Sequence, residues 1–240
     1  MRRSDSTLSS ELHEQLDEST AGGPELAMLI REGIMSGRLV PNQRLVETDL
    51  CAMYGVSRAV VREALTELTS DMLVERVRNR GARVRAVTID EAIEIARIRS
   101  AIEGLGAAQA AEHATDEQIA GLQELGVAMR RAVEDGDRSG YTQLNKELHS
   151  QILRASGTIV APSLVQSLRA REGYFQYRLA LDPGRPHVSL PEHLAIIDAI
   201  ADRDSEGARA AMGGHLDSVA SALLDAFGHK DSSGPEGSIH

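Results

Sequence analysis

Aromatic residues are scarce in this chain: no tryptophan, two phenylalanines and four tyrosines in 240 residues. With 42% hydrophobic residues there is still ample material for a core, so that core must be aliphatic and alanine-rich, which suits helices. The single cysteine, Cys51, excludes an internal disulfide and fits a reducing compartment. No apolar run reaches the roughly 18 residues needed to span a bilayer, so no membrane partner is expected. The opening segment MRRSDSTLSSELHEQLDEST has no apolar stretch of the signal-peptide kind, and the expected location is the cytoplasm. A glycine-rich phosphate loop, an internal repeat and a strand pattern beyond residue 88 are also missing.

What is present is concentrated first in residues 45–85, LVETDLCAMYGVSRAVVREALTELTSDMLVERVRNRGARVR. Leu50, Ala52 and Met53 give a short helix its apolar side. Tyr54-Gly55-Val56 is a turn, with Gly55 suited to the left-handed conformation that ends a helix. Ser57 is an N-cap for a second helix, on which Val60, Val61, Ala64, Leu65 and Leu68 recur at helical spacing. The opposite face carries Arg58, Arg62 and Thr66. Residues 73–77 and 82–85 are expected as paired short strands joined by Arg78-Asn79-Arg80-Gly81. This is a helix-turn-helix followed by a basic wing. The second helix would enter the major groove with its N-terminal residues at base edges, and the wing would reach phosphates or the minor groove.

The net charge of −10 is unevenly spread. Residues 24–88 hold ten arginines against eight carboxylates, while residues 89–240 hold 14 basic against 23 acidic side chains. The positive charge sits where a phosphate-docking domain would need it.

Residues 1–23 read as a disordered tail. Residues 24–87 are expected as the DNA-binding domain, its first helix starting at Pro24 and ending near Gly37. Thr88 to Glu91 and Thr115 to Gln118 are capping boxes that open helices. Stripes at Ile95-Ile98-Ile102-Leu105, Ile119 to Val133, Tyr141 to Ile152, Leu164 to Leu179, Leu194 to Ile200 and Ala208 to Leu223 then mark six helices. Residues 88–228 are expected as a ligand-binding and dimerising bundle, and 229–240 as a disordered tail. The fold class is therefore mainly α: a winged helix-turn-helix of three helices and a small hairpin, then an all-α antiparallel bundle of six to seven helices.

Polar residues on those apolar stripes point to a second site. Asn145 and His149 are four apart and share a helix face with Leu148 and Ile152. His193 shares a face with Ile196, Ile197 and Ile200, and His215 lies between Met212 and Val219. Three imidazoles and an amide oxygen on three helices suit a divalent metal, Zn²⁺ first, with Ni²⁺, Mn²⁺, Co²⁺ or Fe²⁺ compatible. Each histidine alone is more often a satisfied core residue; it is the three together that point to a metal. Arg99, at the edge of its stripe, is a candidate carboxylate clamp or the ion-pair partner of Glu103. A metal-dependent enzyme fused to a DNA-binding module is the alternative reading. It lacks a general base, because Glu147 lies two residues before His149 and faces away.

The segment SRAVVREAL, followed by Leu73-Val74 and RGARV, resembles the winged helix-turn-helix of the GntR family of bacterial transcription regulators. The Arg99/Glu103 pair, Asn145/His149, Glu192-His193-LAIIDAI and His215-Leu216 resemble the FCD ligand-binding domain of its FadR subfamily. Six bundle helices would place it nearer the VanR-like branch. The resemblance implies a non-enzymatic, homodimeric, ligand-responsive regulator, a repressor, on a palindromic double-stranded DNA operator. It implies Asn145, His149, His193 and His215 as metal ligands, and Arg99 assisting a small carboxylate effector. Arg44, Thr48, Ser57, Arg58, Ala59, Arg62 and the wing residues Arg78, Asn79, Arg80 and Gly81 would face DNA. The chain departs from the family at Asn145, where aspartate is frequent, at Val60 where proline is common, at Met72 where glycine is usual, and at Val46 where a small polar cap is common.

Overall fold

The computed structural model describes residues 22–77 and 81–228. Both expected terminal tails, save Gly22 and Gly23, and the wing-tip residues Arg78, Asn79 and Arg80 lie outside the described residues. The chain divides into two compact units between Val87 and Thr88.

In the first unit, α1 (Gly23–Met35) has Pro24 in its opening turn and buries Leu26, Ile30 and Ile34. It packs on α3 (Arg58–Ser70), as does α2 (Glu47–Tyr54). Gly55 caps α2 at φ 66°, and Ser57 Oγ accepts from the Val60 N–H to open α3. The buried side of α2 is Leu50 and Tyr54; Ala52 and Met53, expected inward, are exposed because the helix extends through Tyr54. At the far end of α3, Met72 N–H bonds Thr69 O and Leu73 N–H bonds Leu68 O. That is a Schellman motif with Met72 at φ 59° in the position glycine favours.

The wing pairs β2 (Val74–Val77) with β3 (Gly81–Val84) antiparallel, Val74 opposite Val84 and Val77 opposite Gly81. A further strand not expected from sequence, β1 (Arg44–Leu45), lies on the other side of β3. Two residues carry no readable alternation, so this strand is invisible before the fold is known.

Among the described residues the second unit has seven helices: α4 (Ile89–His113), α5 (Asp116–Glu134), α6 (Arg138–Ala155), α7 (Ala161–Arg171), α8 (Gly173–Ala180), α9 (Arg185–Ala201) and α10 (Ser205–Phe227). Six stripes are readable and seven helices form, within the six to seven expected, because of a break at Glu172. There the expected fourth helix divides into α7 and α8, placing the buried Glu172 carboxylate on Arg99. Helix α9 also starts well before Leu194, because Pro186 suits a first turn and Ser189 Oγ donates to Arg185 O ahead of Pro191.

The face of α4 toward the bundle is small: Gly104, Gly106, Ala107, Ala110 and Ala111 are buried. A methyl group at Gly106 would lie 2.8 Å from Leu153 of α6. Ile98 and Leu105, expected in the core, are 42% and 44% exposed. Residues Arg99 and Glu103 take the inward positions instead, because their charges are neutralised inside the bundle. Among the described residues no helix is long and apolar enough to cross a membrane.

Candidate metal-binding site and DNA-binding surface

Helices α6, α9 and α10 bring His149, His193 and His215 together, all three buried. Ring centroids lie 5.6 Å apart for His149–His193, 5.3 Å for His149–His215 and 4.3 Å for His193–His215. One nitrogen from each falls within 4.8 Å of the other two.

Each imidazole is held through Nδ1. His149 Nδ1 donates to Glu103 Oε2 at 2.5 Å, and His215 Nδ1 to Glu192 Oε2 at 2.8 Å. His193 Nδ1 lies 3.0 Å from the Tyr141 hydroxyl, which lies 2.8 Å from Ser189 Oγ, whose proton goes to Arg185 O at 3.0 Å. The carboxylate acceptors hold His149 and His215 in the Nδ1–H tautomer, with their Nε2 lone pairs free. When Ser189 gives its proton to that carbonyl, Tyr141 donates to Ser189 and accepts from His193, and the third Nε2 lone pair is free as well.

Two further observations favour an ion at this point. His193 Nε2 and Asn145 Oδ1 are buried without any hydrogen-bond partner. Both are lone-pair atoms, and Asn145 precedes His149 by one helical turn. Burial pushes the His149 imidazole down to about 3 against the attraction of Glu103. Burial and the neighbouring His215 hold His193 well below the ordinary histidine range, and burial lowers His215. The rings are thus neutral at pH 7, and each has its Nδ1 anchored, as metal-binding histidines usually have. Three imidazoles and an amide oxygen fit a first-row divalent ion.

Arg99 is not free to clamp a ligand. Its Nε donates to Glu103 Oε1 at 2.7 Å and its Nη1 to Glu172, all within the buried interior. The expected clamp is a structural ion pair, because the helix break delivers a second carboxylate to it. Glu147 accepts from Gln151 and Arg154 on the outer side of α6, away from the histidines.

Several contributors escaped the sequence reading. Tyr141, Asn145 and His149 stand at i, i+4 and i+8, so Tyr141 was legible as a member of the same face. Glu192 was legible only as the neighbour of His193. Glu103 is readable from sequence only as the ion-pair partner of Arg99 four residues before it, and nothing in the sequence ties it to His149. Arg169 and Glu172 carried no signal at all.

On the first unit, Arg58, Ala59 and Arg62 are exposed on the N-terminal part of α3, and Ser57 is exposed as its cap. Arg62 Nε contacts Glu47 Oε2 at 2.9 Å, and Arg76 Nη2 donates to Thr66 Oγ1 at 2.9 Å. Thr48 is exposed in the first turn of α2, and Arg44 is exposed on β1, opposite Arg83 of β3. Gly81 is the first residue of β3 at φ 84°, and a methyl group there would come 3.0 Å from Leu45 O. Its glycine is explained by that close approach of β1.

A three-helix winged unit followed by a helical unit with a histidine cluster defines a two-part regulator: one part built for a DNA groove, the other for a small guest. The chain belongs to the GntR family of bacterial regulatory proteins, whose model matches residues 24–84, with an FCD domain over residues 94–218. It is 24% identical to the HTH-type transcriptional repressor RspR of Escherichia coli K12, over 87% of this chain and 92% of that protein. It is 30% identical to a probable D-xylose utilization operon transcriptional repressor of Paenarthrobacter nicotinovorans, over 82% of this chain and 85% of that one. Among solved structures, E. coli McbR/YncC superposes with a TM-score of 0.76 at 24% identity, covering 89% of this chain and all of that one. A GntR regulator from Rhodococcus sp. RHA1 gives 0.71 at 26% identity, over 85% and 98% of the two chains. The protein is a DNA-binding transcription regulator with an effector domain.

Proposed function

We propose that this regulator is a homodimeric repressor that releases a short palindromic operator when a small organic acid binds beside a divalent metal in the bundle. The observation that carries the reading is the set of three Nδ1-anchored imidazoles with the orphaned Asn145 Oδ1 beside them. His149, His193, His215 and Asn145 would hold the ion, Zn²⁺ first among Zn²⁺, Ni²⁺, Mn²⁺, Co²⁺ and Fe²⁺. When bound, it supplies open coordination positions for a carboxylate.

Residues 24–87 serve as the DNA-binding domain and 88–228 as the effector and dimer domain. Arg58 and Arg62 read base edges, with Ser57 and Ala59 at the same helix end. Arg44, Thr48 and the wing residues Arg78, Asn79, Arg80 and Gly81 hold the backbone. Dimerisation is supported by the exposed apolar positions Ile98 and Leu105, one face of α4. Repression is supported by the names of the two curated relatives. The regulator works in the cytoplasm, where its operator is. Glu103 joins His149 to α4, the helix that follows directly on the winged unit in sequence, so a change at the site can bias two arrangements of the dimer.

The test is metal content by mass spectrometry of untagged protein and of His193→Ala. About one ion per chain, lost in the variant, is the expected result for a site with these ligands. Equal content in both proteins, or none in either after reconstitution, overturns the metal.

A further inference from the structure

We propose that Arg169 is the anion-binding residue of the effector site, and that the effector is a small dianion of the dicarboxylate class. The inference rests on the metal reading above and deepens it.

Arg169 stands on α7, which packs against α4. Its guanidinium makes no hydrogen bond or ion pair with any described residue. Its charge is nonetheless felt at Glu103, His149, Glu172 and His193, so it stands beside the histidine cluster. It retains some accessible surface, whereas the neighbouring Arg99, Glu103 and Glu172 have essentially none. Arg169 precedes Glu172, the C-cap of α7 and the partner of Arg99, by three residues, which sets the two on one side of the helix, and its partial exposure leaves it reachable by a small guest. Burial, then repulsion from Arg99, pushes its guanidinium down to about 10 despite the attraction of Glu103 and Glu172. An enclosed cation without hydrogen-bonded partners is costly, and a guanidinium fork matches a carboxylate. Among the described residues, three of the four buried side-chain atoms left without partners belong to Asn145, Glu172 and His193, all in this neighbourhood.

Charge counting sets the class. Arg99 and Arg169 balance Glu103 and Glu172, and Arg185 balances Glu192. The ligand atoms of His149, His193, His215 and Asn145 are all neutral. A divalent ion would therefore leave the cluster with two uncompensated positive charges. An aspartate at position 145 would leave one. A dicarboxylate can place one carboxylate on the metal and the other on Arg169, cancelling both.

The experiment is thermal denaturation and calorimetric titration of metal-loaded full-length protein with acetate, malonate, succinate and inorganic phosphate at constant ionic strength. Metal content is measured on the same samples. At least one dianion is expected to bind about tenfold or more tightly than acetate, the worth of a charge-assisted hydrogen bond. Arg169→Met is expected to lose that preference and to melt above the unsubstituted protein in anion-free buffer. Asn145→Asp is expected to narrow the gap between dianions and acetate. Arg169→Met that melts lower in anion-free buffer, or that keeps the dianion preference with metal bound, overturns the inference. Metal missing from the unsubstituted protein overturns the reading beneath it instead, and the two failures are separately visible.

Discussion

Glu47 holds Arg62: the recognition-helix guanidinium sits 2.9 Å from a carboxylate in the first turn of the preceding helix. Arg62 remains 61% exposed, so the pair is a surface one whose net contribution to stability is about 0–1 kcal/mol. Its consequence is for DNA. To read a base, Arg62 has to leave Glu47, and Glu47 presents a negative charge close to where phosphates would lie. Glu47→Gln is therefore expected to raise operator affinity by about 0.2–1 kcal/mol. Arg62→Ala is expected to lower it by about 1–3 kcal/mol, as for loss of a bidentate base contact. Fluorescence anisotropy on operator DNA, run as a double-mutant cycle, separates the tether from a simple charge effect. If Glu47→Gln helps equally in the Arg62→Ala background, the tether is not what limits Arg62.

Two departures from the family pattern mark removable strain. Met72 occupies a left-handed position at φ 59° and is half exposed, so its side chain gains little from packing. Val46 opens α2 from an extended conformation with no side-chain cap. Met72→Gly is expected to stabilise the winged unit by about 0.5–1 kcal/mol, the left-handed cost less the extra entropy of glycine. Val46→Thr is expected to add about 0.5–1 kcal/mol through a hydroxyl bond to an open N–H. Urea unfolding followed by far-ultraviolet circular dichroism reads both. A lowered midpoint for Met72→Gly would mean that the methionine makes a stabilising contact outweighing its backbone strain.

The winged unit was legible because its signals are local. Gly55, Ser57 and the Val61-Ala64-Leu65-Leu68 stripe specify turn, cap and buried face within about 15 residues, and each stands where its chemistry requires. The bundle was legible as helices, since Thr88, Thr115, Gly136 and Gly157 mark boundaries by capping and positive φ. The histidines could be found because each interrupts an apolar stripe. What escaped were features made by long-range contact. β1 exists only because β3 pairs with it, and the break at Glu172 makes sense only once Arg99 is beside it. On α4 apolarity misled: Ile98 and Leu105 looked like core, while the buried row is glycine, alanine and a neutralised Arg99–Glu103 pair. Hydrophobic periodicity cannot tell a buried stripe from an exposed one, and a buried ion pair reads as surface until its third partner is known.

Glu103 is the joint between the arginine pair and the histidine cluster, taking Arg99 on Oε1 and His149 on Oε2. Those two cationic or proton-donating neighbours hold its carboxyl far below the usual carboxylate range despite complete burial. Glu103→Gln keeps the shape and removes the charge. It is expected to weaken metal binding by about 10- to 100-fold, because His149 loses the anchor that orients it and raises its basicity. It is also expected to destabilise the metal-free bundle by about 3–5 kcal/mol, because Arg99 keeps only Glu172. Chelator competition reads the first effect and urea unfolding of metal-free protein the second. Metal affinity unchanged in a folded Glu103→Gln protein would remove Glu103 from the positioning role.

The histidine cluster also sets a pH dependence whose sign follows from burial. In metal-free protein, His149 titrates near 3, His193 well below its ordinary value and His215 below it, mainly because the interior penalises the charged ring. In the unfolded chain all three would titrate near 6.5. Between those values the unfolded state binds more protons, so the stability present above about pH 6.5 is lost as pH falls. Each ring can cost up to about 1.4 kcal/mol per pH unit in that window. Glu103, also depressed, adds loss in the same direction below the ordinary carboxylate range, while Glu172, raised by burial, offsets part of it. The urea midpoint of metal-free protein is therefore expected to be level from pH 8 to 7 and to drop steadily from about 6.5 toward 5. Metal-loaded protein should hold its midpoint better at neutral pH and fall more steeply on acidification, since protons compete for the same nitrogens. A midpoint unchanged between pH 8 and 5 without metal would mean that the three rings meet solvent, and the convergent site built on their burial would fall with it.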